Sequence, residues 1–482
     1  MNETPKSALS STSNTVLPAT SRRDFIKTGG YFAAATALAG VTLPHVHAAE
    51  NNTLSVALVG CGGRGTGAAG NALSVKNRGP ITLTAMADVF DKRLKNSYKE
   101  IKDKHGDMVD VPEDKKFLGF DAYKHAMDSL KPGDVVILTT PLAFRWVHFT
   151  YAIQKGLNVF MEKPLTADGV TSRRMLKLGE EASSRNLKVG VGLMSRHNRA
   201  MQELHNRIQD GEIGDIILLR GYRMHGPVAT FSSLPKPEGI SELAYQIQRF
   251  HSFLWASGGC YSDFYIHHID HLCWMKNAWP VSAQALGGRH YRKSPEGIEY
   301  VDQNFDNYSV EYTFADGTKF IMDGRCINGC ESIYHSFAHG TKGSAVVSAN
   351  GDCGLPSSTW KTQSTDRNPK SPNRIWTSTV KPDEHDPYLN EWNDLVDAIR
   401  KDQPYSEVKR GVEASVTTSM GRFAAHTGRE ITFEKFLNST VELAPDVDKL
   451  VDLNSPAPVR ADSHGKYPVP MPGLVTDREY KS

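Results

Sequence analysis

A glycine-rich turn near residue 60 has the residue types and spacing that bind a pyrophosphate. An apolar run at 53–59 leads directly into it, and residues 66–73 have a helical pattern. In such a strand–turn–helix unit the first glycine permits the tight turn, the second lets the backbone approach the phosphates, and the third allows close packing. The helix N-terminus favours the phosphate charge. We therefore predict that a dinucleotide binds through Gly60, Gly62, Gly63, Arg64 and Gly65.

Asp88 follows a second apolar strand, at 81–87, and lies 23 positions after Gly65. A carboxylate at the end of that strand is placed to bind the ribose hydroxyls of NAD. The carboxylate of Asp88 could also cap the N-terminus of a helix predicted at 90–103, and the two roles are compatible. The acid favours NAD, whereas Arg64, Lys92 and Arg93 keep NADP open as the cofactor.

Asp263, His267 and His271 are spaced four residues apart, so on a helix they share one face. An imidazole titrates near neutral pH, and a carboxylate beside it orients the ring and stabilises its charged form, which suits general acid–base chemistry. The same stripe offers three ligands to a metal ion. An eight-residue span is long for three ligands of one ion, so acid–base chemistry is favoured and no metal is predicted.

The elements that must position these residues follow two patterns. Up to residue 191, strand and helix patterns alternate, which predicts a parallel sheet with helices on both faces. From about residue 215, longer β-type runs predict an open antiparallel sheet, with one face covered by a helix at 263–275. The predicted helices lie at 121–130, 144–155, 172–185, 386–401 and 408–427, and the strands at 134–139, 158–161, 188–191, 216–223, 281–289, 306–314, 318–325 and 344–348.

The predicted fold class is therefore α/β, with an N-terminal doubly wound Rossmann domain and a C-terminal α+β domain whose open sheet is mainly antiparallel. The predicted divisions are a leader at 1–49, a nucleotide-binding domain at 50–190, a substrate-binding and oligomerisation domain at 191–435, and an extended arm at 436–482.

Further motifs in the chain resemble those of the Gfo/Idh/MocA family, which includes glucose–fructose oxidoreductase and inositol dehydrogenase. One is E-K-P at 162–164, preceded by Thr140-Pro141. The other is G-G-C-Y-S-D-F-Y-I-H-H-I-D at 258–270. The resemblance covers roughly residues 53–435. Many members have T-P-x-x-x-H, and this chain has Arg145 at the histidine position, with His148 nearly one helical turn later.

The resemblance implies a set of site residues. In the family, the lysine of E-K-P points at the nicotinamide and the reacting carbon, and the aspartate and histidine of the second motif face the substrate hydroxyl. Carried over, His267 is the general base, Asp263 its orienting partner, and Lys163 a proton relay and substrate anchor. The resemblance also implies that Thr140, Pro141, Glu162 and Lys163 contact the cofactor.

Other side chains suit contact with a sugar ring. Arg249 and Trp255 belong to an irregular segment at 226–255, which either lines the substrate site or forms a structured surface loop. For His268 two roles are compatible with the sequence, packing in the core and contact with the substrate. The candidate substrate-binding residues are Arg196, Arg249, Trp255 and His268.

The N-terminal region has the order of a secretory signal. The run Ser21-Arg22-Arg23-Asp24-Phe25-Ile26-Lys27 precedes an apolar stretch at 29–43 and small residues at 48–49. Paired arginines are typical of the twin-arginine pathway, which exports folded proteins. The apolar stretch is short for a permanent span. We therefore expect recognition by the twin-arginine machinery, a periplasmic location and no permanent membrane anchor.

Composition excludes some partners. The net charge is +2, and no basic run lies beyond the leader, so nucleic acid binding has no electrostatic support. Six cysteines in 482 residues are too sparse for a disulfide scaffold. Cys326 and Cys330 are interpreted as small residues of a strand or turn rather than a redox pair or metal site.

Three functions are compatible with this pattern. The first is an exported, NAD(P)-dependent sugar or polyol oxidoreductase with a tightly held cofactor, forming a homo-oligomer (dimer or tetramer). The second is a glycoside hydrolase that uses bound NAD for transient sugar oxidation and elimination. The third is a non-catalytic sugar-binding protein. The glycines, Asp88, Lys163, Asp263 and His267 together favour the first function.

Overall fold

A parallel six-stranded sheet forms the first half of the molecule. The computed structural model describes residues 52–290, 293–363, 368 and 370–481. The strand order is β3-β2-β1-β4-β5-β6, in which β1 is central and each crossover carries the chain across a face of the sheet. The strands are β1 Leu54–Val59, β2 Ile81–Asp88, β3 Lys116–Leu118, β4 Val135–Leu138, β5 Asn158–Met161 and β6 Val189–Val191. This is the predicted doubly wound arrangement, and the predicted fold class is confirmed.

Helices cover both faces of this sheet because its central strands are apolar on both sides. Every residue of β4 and β5 is buried. The helix after the glycine-rich turn begins at residue 63, three residues earlier than predicted, so its first turn belongs to the phosphate-binding motif. The helices of this half are α1 Gly63–Leu73, α2 Asp91–His105, α3 Ala122–Asp128, α4 Arg145–Gln154 and α5 Gly169–Ser184.

The second half contains a nine-stranded sheet in the order β14-β13-β12-β11-β7-β10-β9-β8-β15. Its neighbours are antiparallel except for β7 and β10, which run parallel. The predictions missed several of its strands. One of them is β11, in which polar side chains stand at positions where a strand pattern would have apolar residues. The strands are β7 Ile216–His225, β8 Ser282–Gly288, β9 Asn307–Thr313, β10 Lys319–Cys326, β11 Ile333–Gly340, β12 Ser344–Ala349, β13 Ser358–Trp360, β14 Arg374–Thr377 and β15 Ile431–Thr432.

A buried helix carries the second motif across this sheet. It spans Gly259–Lys276 and packs on β7, β10 and β11. Nearly all of its residues are buried, because the sheet covers one side and other helices cover the rest. The helices of the second half are α6 Arg199–Gln209, α7 Glu242–Gln248, α8 Leu254–Ser257, α9 Gly259–Lys276, α10 Pro387–Arg400, α11 Val408–Thr427 and α12 Phe433–Leu437. Helix α7 lies within the segment that was predicted to be irregular.

Helices α10 and α11 tie the two halves together. The Trp392 ring of α10 stacks on Phe160 of β5 at 4.7 Å between centroids. Helix α11 packs against both α5 and α9. The helices that hold the second motif in place therefore also contact the first domain.

The C-terminal segment contains no strand and only short helical turns after α12 in the part that the structure describes, but its end is fixed to the core. The carboxylate of Glu479 accepts hydrogen bonds from Arg422 at 2.7 and 3.1 Å and lies 2.7 Å from Nδ1 of His426. All three side chains are almost fully buried. Among the described residues, no helix is both long enough and apolar enough to cross a membrane, and the predicted leader lies outside these residues.

We expect the substitution Glu479→Gln to lower the free energy of unfolding by about 3–5 kcal/mol, because it leaves the buried Arg422 charge uncompensated. Urea denaturation followed by circular dichroism measures this difference. The control is Asp477→Asn, since Asp477 is 79% exposed. Equal stability of the two variants would contradict the assignment of Glu479 as a structural anion.

This stabilisation has a defined pH dependence. Burial alone would raise the pKa of Glu479. Arg422 and His426 have the larger, opposite effect and lower it to about 2. The stabilisation of the folded state by the ionised Glu479 carboxylate is therefore complete above about pH 4.3, where this carboxyl group is ionised in the unfolded chain as well. It is lost as the pH falls toward 2. The stability difference between the wild type and Glu479→Gln should shrink over that interval.

Candidate active site

The glycine-rich turn forms a cradle at the carboxyl edge of the parallel sheet. A Cβ atom on Gly65 would lie 2.0 Å from the carbonyl oxygen of Gly60, so the turn and helix α1 can approach this closely only with glycine. At Gly62 and Gly63 a Cβ atom would meet nothing within 4 Å, and both residues line an open cleft. Bare backbone facing a cleft at a helix N-terminus fits a pyrophosphate.

Asp88 lies at the end of β2 on the wall of the same cleft. Its carboxylate accepts hydrogen bonds from the backbone N–H groups of Cys61, at 2.7 Å, and Phe90, at 2.8 Å. Burial raises the pKa of Asp88, and these N–H groups act against that effect. The side chain is therefore held beside the glycine-rich turn, where the ribose hydroxyls of NAD would bind.

The cleft has a volume of about 340 Å³ and is lined by residues of both domains. Thr140, Pro141 and His148 form part of its first-domain wall, and Nδ1 of His148 lies 3.2 Å from the Thr140 hydroxyl. Burial lowers the pKa of His148 to about 3, so its imidazole is neutral at pH 7. The second domain contributes Ala229, Ile247, Phe250 and His251. The size, the apolar walls and the few polar groups suit a dinucleotide.

Arg64 is held on the protein side of the cleft. Its guanidinium lies 2.8 Å from Glu162 and 4.7 Å from the centroid of the Tyr388 ring in α10. The arginine of the glycine-rich turn thus pairs with the glutamate of E-K-P. Because Glu162 already occupies Arg64, Arg93 is the better placed cation for a 2′-phosphate.

Lys163 connects the first domain to helix α9. Its Nζ atom donates to the backbone carbonyl of Asp263 at 2.6 Å and lies 3.4 Å from the Asp263 carboxylate. Nε2 of His251 lies 3.5 Å from the other carboxylate oxygen. The two predicted motifs, 100 residues apart in the chain, therefore meet through Lys163 and Asp263.

His267 is buried one turn farther along α9, and its Nδ1 atom has no hydrogen-bond partner among the described residues. The i,i+4 spacing predicted that Asp263 orients this ring, but the carboxylate of Asp263 contacts Lys163 and His251 instead. Burial lowers the pKa of His267 to about 3, and the charge of Asp352 opposes that shift. A neutral imidazole of this kind can accept a hydrogen bond from a substrate hydroxyl.

Asp352 is a carboxylate of the site that the sequence reasoning missed. It lies between β12 and β13, 2.9 Å from Arg223 and 3.4 Å from Nδ1 of His268. The ring of Tyr334 stacks on His268. In the sequence Asp352 stands between small residues in a Gly-Asp-Cys-Gly stretch, which is typical of a turn.

Three candidate substrate residues have structural partners. Arg196 makes a two-pronged ion pair with Asp270. Arg249 donates to Ser233 Oγ at 2.8 Å. Trp255 is 1% exposed and donates to Gln246, so in this structure it supports the 226–255 segment from inside.

Arg145, which stands where many family members have histidine, is buried. It donates to the backbone carbonyls of Leu138 and Thr140, which fixes the end of β4 beside the cleft. Cys326 is buried and lies 3.2 Å from Cys260 between sulfur atoms, whereas Cys330 is exposed, and all three are free thiols.

The fold and the cleft define a two-domain protein whose Rossmann domain has the geometry of a dinucleotide-binding site. Residues 201–346 match the family description GFO/IDH/MocA C-terminal domain. Inositol 2-dehydrogenase of Corynebacterium glutamicum (strain R) is 31% identical over 88 residues, which are 18% of this chain and 26% of that relative. The chain thus spans about a quarter of the length of this curated relative.

Solved structures share the fold. Levoglucosan dehydrogenase in complex with NADH and levoglucosan has a TM-score of 0.58 at 17% identity, with 79% of this chain and 99% of that chain covered. Aldose–aldose oxidoreductase from Caulobacter crescentus, complexed with glycerol, has a TM-score of 0.58 at 15% identity, with the same coverage. These structures show a shared fold, and the family match covers residues 201–346 of this chain.

We expect Asp88→Ala to weaken NAD binding by about 10- to 100-fold, because hydrogen bonds to a charged group contribute about 1.5–3 kcal/mol. NADP binding should suffer less, since a carboxylate repels a 2′-phosphate. Isothermal titration with each nucleotide measures the two Kd values. Asp91→Ala, an exposed acid three residues later, is the control. An unchanged ratio of the Kd values would contradict the ribose-binding role.

Proposed function

We propose that this protein is an NAD(P)-dependent dehydrogenase or oxidoreductase of the Gfo/Idh/MocA family that acts on a hydroxyl group of a sugar or polyol. The observation that carries the proposal is the contact of Lys163 with Asp263, one helical turn before His267 in α9, while His251 of the cleft wall lies 3.5 Å from the Asp263 carboxylate. One motif alone would be weak support, but here the cofactor edge and a proton-accepting group adjoin each other.

The residues of the cleft would hold the nicotinamide cofactor. Gly62 and Gly63 would contact the pyrophosphate and Asp88 the ribose, with Thr140 and Pro141 on the wall. When bound, the nicotinamide supplies a hydride acceptor or donor. The protein's own contribution is to orient the substrate and to handle the hydroxyl proton.

Proton handling falls to Lys163 and His267. Lys163 donates hydrogen bonds and can anchor the substrate oxygen, while neutral His267 can accept the hydroxyl proton. Asp263 holds the ammonium group of Lys163 by its carbonyl and its carboxylate. In this assignment Asp263 orients Lys163 rather than His267.

We further propose that the protein is exported with a tightly held cofactor. The signal-like order of residues 21–49 supports export. The cleft walls from residues 229–251 support slow release of the nucleotide, because the second domain covers the side that the Rossmann fold leaves open. The relatives named above are dehydrogenases and an oxidoreductase, so the glycoside hydrolase alternative is not favoured.

Lys163→Met should lower kcat/KM for sugar-dependent reduction of the nucleotide by about 10²–10⁴-fold, the range that general acid–base catalysis contributes. Nucleotide binding, followed by fluorescence, should stay within a few-fold of the wild type. Lys177→Met, an exposed lysine on α5, is the control. Sugar binding with no turnover in the wild type and in both variants would instead support a non-catalytic sugar-binding protein.

Protein purified without added nucleotide should carry stoichiometric NAD(H) or NADP(H), because the covered cleft slows dissociation. Mass spectrometry of the supernatant after denaturation identifies and counts the nucleotide. Exhaustive dialysis before denaturation tests retention. Nucleotide lost on dialysis would contradict tight holding, and a protein that binds neither nucleotide would contradict the enzymatic proposal as a whole.

A further inference from the structure

Three cations at the candidate active site are paired with carboxylates of the protein. Lys163 contacts Asp263, and Arg64 contacts Glu162. Arg223, on β7, lies 2.9 Å from the carboxylate of Asp352. The first two pairs belong to motifs that the sequence analysis identified, but the third does not.

Arg223 and Asp352 lie next to the proton acceptor. Arg223 donates to the backbone carbonyl of Phe264 in α9, which fixes the guanidinium against the helix that carries His267. The charges of Asp352, Lys163, Arg223 and His268 all act on His267. Asp352 also lies 3.4 Å from Nδ1 of His268, the residue after His267, so the pair lies against the part of α9 that holds the proton acceptor.

The loop that carries Asp352 is held at several points. The N–H of Gly351 donates to the Tyr334 carbonyl at 3.1 Å, and the N–H of Gly354 donates to Ser348 Oγ at 2.9 Å. Ser195 Oγ donates to the backbone carbonyl of Asp352 at 3.4 Å. The backbone on both sides of Asp352 is thus fixed, and its carboxylate is presented to Arg223 by the fold.

The same two side chains are not sealed from the site. The side chain of Arg223 is 12% exposed and that of Asp352 is 17% exposed. The half-buried ring of Tyr334 lies under Arg223, 4.9 Å from the guanidinium to the ring centroid. A carboxylate that accepts hydroxyl hydrogen bonds next to an aromatic ring suits an uncharged polyhydroxylated molecule.

An unpaired guanidinium at this place would instead bind a substrate carboxylate or phosphate, since its planar fork matches such anions. Asp352 already contacts this guanidinium, with one carboxylate oxygen 2.9 Å from one of its nitrogen atoms. An anionic substrate would have to displace the internal carboxylate or lie beside it, and either arrangement costs electrostatic free energy.

We propose that Asp352 is a specificity residue, which occupies Arg223 and restricts the site to uncharged sugars or polyols while excluding sugar acids and sugar phosphates. The inference rests on the dehydrogenase function proposed above and narrows its substrate class. Asp352 accepts hydrogen bonds from substrate hydroxyls that do not react, and Arg223 fixes the orientation of the carboxylate.

Equilibrium binding tests this proposal without turnover. Matched pairs of glucose with glucuronate, and of myo-inositol with an inositol monophosphate, are titrated into the nucleotide-loaded protein by calorimetry. The wild type should bind the uncharged member of a pair at least about tenfold more tightly than the charged member. In Asp352→Asn this preference should fall by about tenfold or reverse, because the fork of Arg223 becomes available.

Two variants serve as controls. Asp352→Glu keeps the charge and should keep the preference for uncharged ligands. Asp323→Asn breaks a similar ion pair, in which Arg220 lies 3.0 Å from Asp323 on the neighbouring strands of the same sheet, and should leave the preference unchanged. Melting temperatures of all variants identify loss of fold.

The outcomes separate this inference from the broader proposal. Tighter binding of the anionic ligands by the wild type would overturn the specificity role, even if Asp352→Asn failed to fold. An unchanged preference in a folded Asp352→Asn variant would overturn it as well. A wild type that bound nucleotide but no member of either pair would count against the sugar dehydrogenase function and, with it, against this inference.

Discussion

The arrangement of the site depends on the contact between Lys163 and Asp263. Lys163 follows β5 at the carboxyl edge of the parallel sheet, and Asp263 lies in the first half of the buried helix α9. The hydrogen bond to the Asp263 carbonyl and the nearby carboxylate connect these two elements at a single ammonium group. Because both elements are buried, this contact, together with the packing of α10 and α11, sets how the cofactor edge faces the helix of the second domain.

Other charged groups of the site are also paired, as is needed where the Lys163–Asp263 contact and its neighbours are partly buried from water. Burying an ammonium or guanidinium group is unfavourable unless a carboxylate lies close to it. Arg64 and Glu162, Lys163 and Asp263, and Arg223 and Asp352 satisfy this condition along one edge. His267 and His148 remain neutral because burial lowers their pKa. The edge is therefore rich in polar groups while its formal charges nearly cancel.

The sequence alone predicted five of the six parallel strands, because buried strands such as β4 and β5 are continuous apolar runs and the glycine spacing is specific. It missed the three-residue strand β3, which is not fully buried. The second sheet was harder to predict. The sequence of strand β11 contains many polar residues and therefore lacks a clear apolar alternation, and α7 lies in a segment without helical periodicity. The leader lies outside the described residues, and export stays a prediction.

Within the site, motif residues were predictable and long-range partners were not. The spacing of Asp263 and His267 places them on one helix face, but it does not reveal that Lys163, from another domain, takes the Asp263 carboxylate. Asp352 lies in a turn between small residues, and only the pairing of β12 with β11 brings it to Arg223 and His268. Such neighbours depend on tertiary contacts that a local pattern does not contain.

The burial of Glu479 also constrains the order in which the chain can fold during synthesis. Its partners Arg422 and His426 lie in α11, which packs against both domains. Arg422 lacks its carboxylate partner until residue 479 has been synthesised, so α11 reaches its full docked stability only after the C-terminal segment has been translated. The parallel sheet, whose strands all precede residue 192, can form earlier.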